Sequence, residues 1–81
     1  MIVAVLLFAK LRELADADTL RVQLPEGSTL ADLRTTIAAT YPALAPLLAK
    51  CAIAVNQDFA HDTLTLKPTD EIALIPPVSG G

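Results

Sequence analysis

The sequence is poor in the residues on which metal sites and disulfide-stabilised domains depend. Its 81 residues include one cysteine, one histidine and no tryptophan. A single cysteine cannot form an internal disulfide or a multi-cysteine metal site, so a disulfide-rich secreted scaffold is excluded and no metal site is predicted. Basic residues are also scarce, because six Lys and Arg stand against nine Asp and Glu, for a net charge of −3. We therefore expect no nucleic-acid partner.

Long hydrophobic runs are missing as well. The longest run, residues 1–9, ends at Lys10, whereas a membrane span needs about 20 apolar residues. Its length would suit a signal peptide, but no basic residue precedes it and no convincing small-residue cleavage pattern follows. The β-branched residues Ile2, Val3 and Val5 favour a buried strand, with a cleaved signal as the minor alternative. We expect no membrane partner and a cytoplasmic location.

Apolar residues, in contrast, are abundant and make up 53% of the sequence. This content argues against intrinsic disorder. A chain of this length buries roughly 60% of its surface on folding, enough for one core. We therefore predict a single domain covering residues 1–81.

The strand pattern predicts a sheet with its apolar centre built from both ends of the chain. Residues 2–8 and 72–75 are apolar on both alternating sets, which is typical of strands in the middle of a sheet. Residues 19–24 alternate strictly and predict a half-exposed strand beside the first. Residues 52–55 and 64–66 predict two short strands.

One segment carries all the signals of a full-length helix. Thr29 and Asp32 have the spacing of an N-cap with an acidic partner, and Pro42 marks the end. Between them the apolar residues recur at helical spacing: Leu30, Leu33, Ile37 and Tyr41. Residues 42–50 predict a short helical piece, and residues 10–17 a charged connector. The predicted fold is of the α+β class, a mixed sheet with one main helix packed across it.

No conventional catalytic site is predicted. His61 is the single histidine, so a Ser-His-Asp set assembled with Ser28 or Ser79 is best explained as coincidence. Cys51 is expected to be a small buried hydrophobe.

The end of the chain is more informative, because Pro76 and Pro77 follow the last predicted strand and the final residues are Gly80 and Gly81. Proline lacks an amide donor, so it stops the strand ladder and favours an extended exit. Two glycines without side chains can enter a narrow channel. A frayed terminus would explain a bare Gly-Gly, but its place after Pro-Pro favours a functional role. We predict a flexible tail, residues 76–81.

Three segments resemble one known family. Residues 8–14 (Phe-Ala-Lys-Leu-Arg-Glu-Leu), residues 55–57 (Val-Asn-Gln) and residues 70–81 (Asp-Glu-Ile-Ala-Leu-Ile-Pro-Pro-Val-Ser-Gly-Gly) are similar to the small subunit of molybdopterin synthase. This family is a ubiquitin-like β-grasp sulfur carrier, and the likeness spans essentially the whole chain. One departure is Pro68-Thr69, where the family usually has a glycine; proline at the second turn position allows a type I turn.

The resemblance implies that the protein is itself a substrate. The carboxylate of Gly81 would be adenylated by a ubiquitin-activating-like adenylyltransferase that uses ATP. It would then become a thiocarboxylate that donates sulfur to the cyclic pterin precursor in molybdenum cofactor biosynthesis. Gly80 would permit insertion of the tail into the large subunit of the synthase, in an expected heterotetramer with two copies of each subunit. The resemblance also implies that this chain binds no cofactor and that the acid–base residues lie on the large subunit.

One predicted helix is too little to cover both faces of the sheet, so an apolar partner surface should remain. The resemblance agrees, since the family docks through a hydrophobic sheet surface beside its tail. We place this surface at Phe8, Phe59, Leu74 and Ile75, continuing into the tail through Pro76, Pro77, Val78 and Ser79. In the alternative interpretation, residues 44–48 cover part of the second face.

Three other functions stay open at this point. A thiazole-pathway sulfur carrier has a similar fold and tail chemistry. A ubiquitin-like modifier would use the same activated Gly81 to form isopeptide bonds with lysines. A non-covalent interaction domain would have an inert tail.

Overall fold

The computed structural model describes residues 1–77. Its elements, in chain order, are β1 (Ile2–Leu7), α1 (Ala9–Ala15), β2 (Thr19–Gln23), α2 (Leu30–Thr40), a 3₁₀ turn (Pro42–Leu44), α3 (Ala45–Leu48), β3 (Ala52–Val55), β4 (Asp58–Phe59) and β5 (Glu71–Ile75). Of the predicted tail, only Pro76 and Pro77 are described. The predicted flexibility of residues 78–81 lies outside the described residues.

The two strands that are apolar on both alternating sets lie side by side, as predicted. β1 and β5 run parallel, with Val5 opposite Ile72 and Leu7 opposite Leu74. β2 pairs antiparallel with the edge of β1 that faces away from β5. β3 pairs antiparallel with β5 and β4 with β3, so the strand order of the described sheet is β2-β1-β5-β3-β4. This mixed sheet confirms the predicted α+β class.

The predicted strand at residues 64–66 is wrong. Asn56 and Gln57 both adopt positive φ, 52° and 73°, and this tight turn sends the chain straight back to pair with β3 as β4. Residues 64–66 instead run past the start of α2, where Thr65 forms an isolated bridge with Thr29. Their hydrogen bonds satisfy backbone groups at the helix start, which the sequence pattern alone does not reveal.

The main helix, α2, begins and ends as the sequence predicts. Thr29 and Asp32 form a reciprocal capping box, and Tyr41 is the C-cap residue before Pro42. Its buried side chains pack on one face of the sheet, in a core whose strand members include Val5, Leu7 and Ile72. This core is the hydrophobic layer that holds the sheet and the helices together.

The short helical segments lie on the same side as α2. Leu44 and Leu48 are buried in the same core cluster, and the 3₁₀ turn and α3 both pack against α2. The interpretation in which residues 44–48 cover part of the second face is therefore wrong. The connector at residues 10–17 forms α1, with Leu11 buried and Asp16 in the left-handed conformation at its end.

Candidate functional site

The tail leaves the sheet from the end of a central strand. The last residue of β5, Ile75, lies opposite Ala52 of β3, and Pro76 and Pro77 follow outside the sheet. Because β1 is parallel to β5, Phe8 leaves the sheet at the same end. The strand ladder thus stops where the first proline removes an amide donor.

The face of the sheet opposite the helices is uncovered in the described structure. We call it the open face, and strand alternation and register assign twelve of its members: Ile2, Ala4, Leu6, Thr19, Arg21, Gln23, Ala52, Ala54, Phe59, Glu71, Ala73 and Ile75. Phe8 directly follows β1 with an extended backbone (φ −129°, ψ 156°), so the alternation continues and adds it to the same face. Ile2 is 54% exposed and Phe59 75% exposed. Large apolar side chains exposed together on one surface are typical of a protein–protein contact.

The predicted partner-binding residues divide between the two faces. Phe8 is 47% exposed on the open face. It lies at the same end of the sheet as Pro76 and Pro77, which we call the tail root. Ile75 is half-buried on the same face, and Pro76 and Pro77 continue from it. Val78, Ser79, Gly80 and Gly81 lie outside the described residues, so their predicted roles stay predictions.

The prediction for Leu74 is wrong. Its side chain is fully buried, because β5 places it opposite Leu7 on one side and Ile53 on the other, and both face the helices. Adjacent residues of a strand point to opposite faces. Leu74 is therefore core, and Ile75 is the member of this pair that reaches the open face.

Several open-face residues were not singled out from the sequence. The apolar ones are Ile2, Ala4, Leu6, Ala52, Ala54 and Ala73, and the polar ones are Thr19, Arg21, Gln23 and Glu71. The signal that could have found the apolar ones is the second apolar alternating set of the central strands. In β1 and β5 its members are exposed or half-buried, whereas the set facing α2 is buried.

A polar network lies at the end of β5 remote from the tail. The Asn56 amide donates to the Asp70 carboxylate at 3.0 Å, and the Asn56 side-chain oxygen accepts from the backbone N–H of Glu71 at 2.9 Å. The other Asp70 oxygen accepts from the backbone N–H of Lys67 at 2.8 Å. These bonds join the β3–β4 turn to the start of β5. The turn at residues 67–70 closes with a hydrogen bond from the Asp70 N–H to the Lys67 carbonyl and needs no positive φ at Thr69.

The remaining chemically reactive residues have structural surroundings. Cys51 is buried, as predicted, and its thiol donates to the Leu47 carbonyl at 3.2 Å. Burial raises the pKa of this thiol, and the nearby charge of Arg34 partly opposes the shift. The Ser28 hydroxyl donates to the Pro25 carbonyl at 2.7 Å. His61 is exposed.

Metal-binding clusters and membrane-spanning helices are absent from the described residues. Among residues 1–77, no group of three or more His, Cys, Asp or Glu side chains is arranged to hold a metal ion. Within that range, each helix is also too short or too polar to cross a bilayer. The open face and the tail root are thus the features of the described chain that suggest a function.

A five-stranded mixed sheet with a helix across one face and a parallel pair at its centre is the ubiquitin-like β-grasp fold. Residues 5–81 match a family model described as "ThiS family". The chain belongs to this family.

Known relatives extend the same assignment. The molybdopterin synthase sulfur carrier subunit of Chlamydomonas reinhardtii is 41% identical over 83 residues, covering 100% of both chains. The crystal structure of small archaeal modifier protein 1 from Haloferax volcanii has a TM-score of 0.86 and 27% identity, over 95% of this chain and 98% of that one. A protein–protein complex of subunits 1 and 2 of the molybdopterin-converting factor from Helicobacter pylori contains a chain with a TM-score of 0.72, 30% identity and 100% coverage of both. The resemblance noted in the sequence is confirmed.

Proposed function

We propose that this chain is the sulfur carrier subunit of molybdopterin synthase and that Gly81 bears the sulfur. The observation that carries the proposal is the position of the tail root. A central strand ends at Ile75 on the rim of an apolar open face, and Pro76 directs the chain out of the sheet there. A partner that covers the open face would therefore also receive the tail.

The chemistry explains why the carrier needs no catalytic residues of its own. A carboxylate is a poor electrophile, so an activating adenylyltransferase first joins Gly81 to the α-phosphate of ATP and releases pyrophosphate. A sulfur nucleophile then attacks the acyl carbon and displaces AMP, which leaves a thiocarboxylate. Two such sulfurs would be transferred to the cyclic pterin precursor. In each transfer the sulfur bonds to the precursor and water cleaves the acyl C–S bond, which restores the Gly81 carboxylate, with proton transfers handled by the large subunit.

Docking on the large subunit is the second part of the proposal. The related chain from Helicobacter pylori was solved in a complex of subunits 1 and 2, which supports a partner of this type. We propose that the large subunit covers the open face around Phe8, Phe59 and Ile75, within a heterotetramer that has two copies of each subunit. Val78 and Ser79 would line the entrance and Gly80 would pass it. The complex would work in the cytoplasm, and this chain would hold no cofactor.

Mass spectrometry of the full chain tests the tail chemistry. After incubation with the activating enzyme, ATP and a sulfide source, the unmodified protein should gain the mass of one sulfur in exchange for one oxygen. Deletion of Gly81 should abolish this gain and the sulfur transfer in reconstituted synthase. It should leave the urea midpoint unchanged, because the described core lies within residues 1–77. Full synthase activity of the truncated protein would contradict the carrier function.

A ubiquitin-like modifier is the second candidate, favoured by the structural similarity to small archaeal modifier protein 1. It would use the same adenylate, with a lysine amine in place of sulfide as the nucleophile. Protein recovered from its native cells distinguishes the two, because a carrier has sulfur at its C-terminus and a modifier is joined to lysines of other proteins. A thiazole-pathway carrier would transfer sulfur with thiazole synthase and not with the large subunit.

A further inference from the structure

The open face carries one row in which two opposite charges flank an alanine. Ala4 of β1 lies opposite Arg21 of β2 on one side and opposite Glu71 of β5 on the other. All three residues are exposed. Since neighbouring strands are about 4.8 Å apart, the two charged residues leave the sheet about 10 Å from each other.

Both side chains are without partners in the described part of the chain. Among residues 1–77, neither the Arg21 guanidinium nor the Glu71 carboxylate makes a side-chain hydrogen bond or ion pair. By contrast, Arg34 and Lys10 do pair with carboxylates, Asp62 and Glu13. The other members of the open face are apolar or neutral, so its charged residues are Arg21 and Glu71.

Four of the thirteen open-face residues are alanines, and side chains this small do not define how a partner sits on the face. Ala4 and Ala52 are exposed, Ala73 is half-buried and Ala54 is only 6% exposed. None of them projects far from the sheet, and hydrophobic contact is non-directional. Shifting the partner by one residue would retain much of the buried area. Charges change this, because a charge buried without its counterpart opposes binding and a matched pair fixes the register.

We propose that Arg21 and Glu71 set the register in which the open face docks on the large subunit. The partner would present a carboxylate opposite Arg21 and a cationic side chain opposite Glu71, about 10 Å apart. This inference rests on the proposed function, since it names the partner chemistry of the same face. Correct register matters because Ile75 and the tail root lie on the same face, and a slipped complex would misplace the tail.

Affinity for the large subunit, measured by calorimetry with the full chain at low and high salt, tests the proposal. Arg21→Glu and Glu71→Arg should each weaken binding about tenfold or more at low salt, with a smaller effect at high salt. The matched charge reversals Lys67→Glu and Glu26→Arg, at positions outside the strands that form the open face, should change the affinity by less than about twofold. Affinities of the open-face variants as close to the unmodified protein as those of the controls would overturn the proposal.

The double reversal Arg21→Glu with Glu71→Arg separates this role from an internal one. If the two side chains only paired with each other across Ala4, the double variant would recover normal binding, and the proposal would be wrong. If they face fixed charges of the partner, the double variant should bind at least as weakly as either single variant. Thermal unfolding of the free variants should be unchanged, which excludes a folding defect.

Ile75→Asp distinguishes failure of this inference from failure of the proposed function. Loss of binding by Ile75→Asp together with normal binding by the charge variants would overturn the register role alone. Normal binding by all three would overturn docking through the open face itself. Salt-sensitive self-association of the free chain that Arg21→Glu abolishes would assign the row to a second copy and would also overturn the proposal.

Discussion

Asn56 and Asp70 are joined by a hydrogen bond of 3.0 Å that links the β3–β4 turn to the start of β5. The same Asn56 side chain accepts from the Glu71 N–H, and its backbone adopts a φ of 52° that few residues other than glycine, asparagine and aspartate adopt easily. One side chain therefore stabilises both the turn and the entry into the central strand. Position 56 belongs to a segment that carried the family resemblance, and its role is structural.

Replacing Asn56 tests that role. Asn56→Ala removes both side-chain hydrogen bonds and strains the left-handed backbone, so the free energy of unfolding should fall by about 2 kcal/mol. Gln57→Gly is the matched control, because glycine adopts the φ of 73° at that position without strain and should leave stability unchanged or higher. Urea denaturation measures both. A loss below about 0.5 kcal/mol for Asn56→Ala would contradict the interpretation.

Arg34 should be a second stability determinant. Its guanidinium donates to the Leu48 and Cys51 carbonyls at 2.8 and 2.9 Å, and to Asp62 at 3.0 Å. Lysine keeps the charge but cannot make this set of planar bonds, so Arg34→Lys should lower the free energy of unfolding by about 2 kcal/mol. Arg12→Lys is the control, since the Arg12 side chain is 60% exposed and should change stability by less than about 0.5 kcal/mol. Equal effects of the two variants would show that the Arg34 bonds contribute little.

Leu74 and Ile75 should respond differently although they are neighbours. Leu74→Ala empties a fully buried position and should destabilise the fold by about 2–5 kcal/mol. Ile75→Asp should leave the circular dichroism spectrum unchanged and weaken binding to the large subunit by about 2 kcal/mol or more, the scale of an interface hot spot. Leu64→Asp is the control, because Leu64 is 40% exposed and lies outside the strands of the open face, and it should not change binding. Unfolding of Ile75→Asp on its own would identify that residue as ordinary core.

The buried thiol of Cys51 predicts a pH dependence of stability. Burial raises the pKa of this thiol in the folded state, so its contribution is fully present below the ordinary thiol pKa of about 8.5. Above that pH the unfolded chain loses its proton first, and the contribution is lost as the pH rises through the raised folded value. Unfolding free energies should therefore fall more steeply at alkaline pH for the unmodified protein than for Cys51→Ala. Parallel curves would indicate that the thiol titrates normally.

The helix and the central strands could be predicted from local pattern because their signals are local. The capping residues Thr29 and Asp32 flank the first turn of α2, and Pro42 directly follows its C-cap. Strands β1 and β5 showed unbroken apolar runs. The strand predicted at residues 64–66 was wrong, because short apolar runs do not reveal which edge of a sheet is free. The tight turn at Asn56 and Gln57 leads directly into β4, which occupies that edge of β3.

The sequence predicted only some of the open-face residues correctly, because local pattern does not show which face of a strand stays uncovered. Phe8, Phe59 and Ile75 lie on the open face as expected, whereas Leu74 does not. A strand that is apolar on both alternating sets has no preferred face until a helix layer is placed on one side. The charged row of Arg21 and Glu71 depends on pairing between strands far apart in sequence, and no local pattern contains that register.

By itself, the sequence determined the class of fold, the position of the main helix and the end of the last strand before Pro76 and Pro77. These follow from side-chain periodicity, capping chemistry and the missing amide of proline, which act over a few residues. Only the tertiary structure decided that α2, the 3₁₀ turn and α3 share one side of the sheet, and therefore which alternating set became the open face. The physical reason is that burial is shared among distant segments, and the helix layer leaves water in contact with the face that carries Phe8, Phe59 and Ile75.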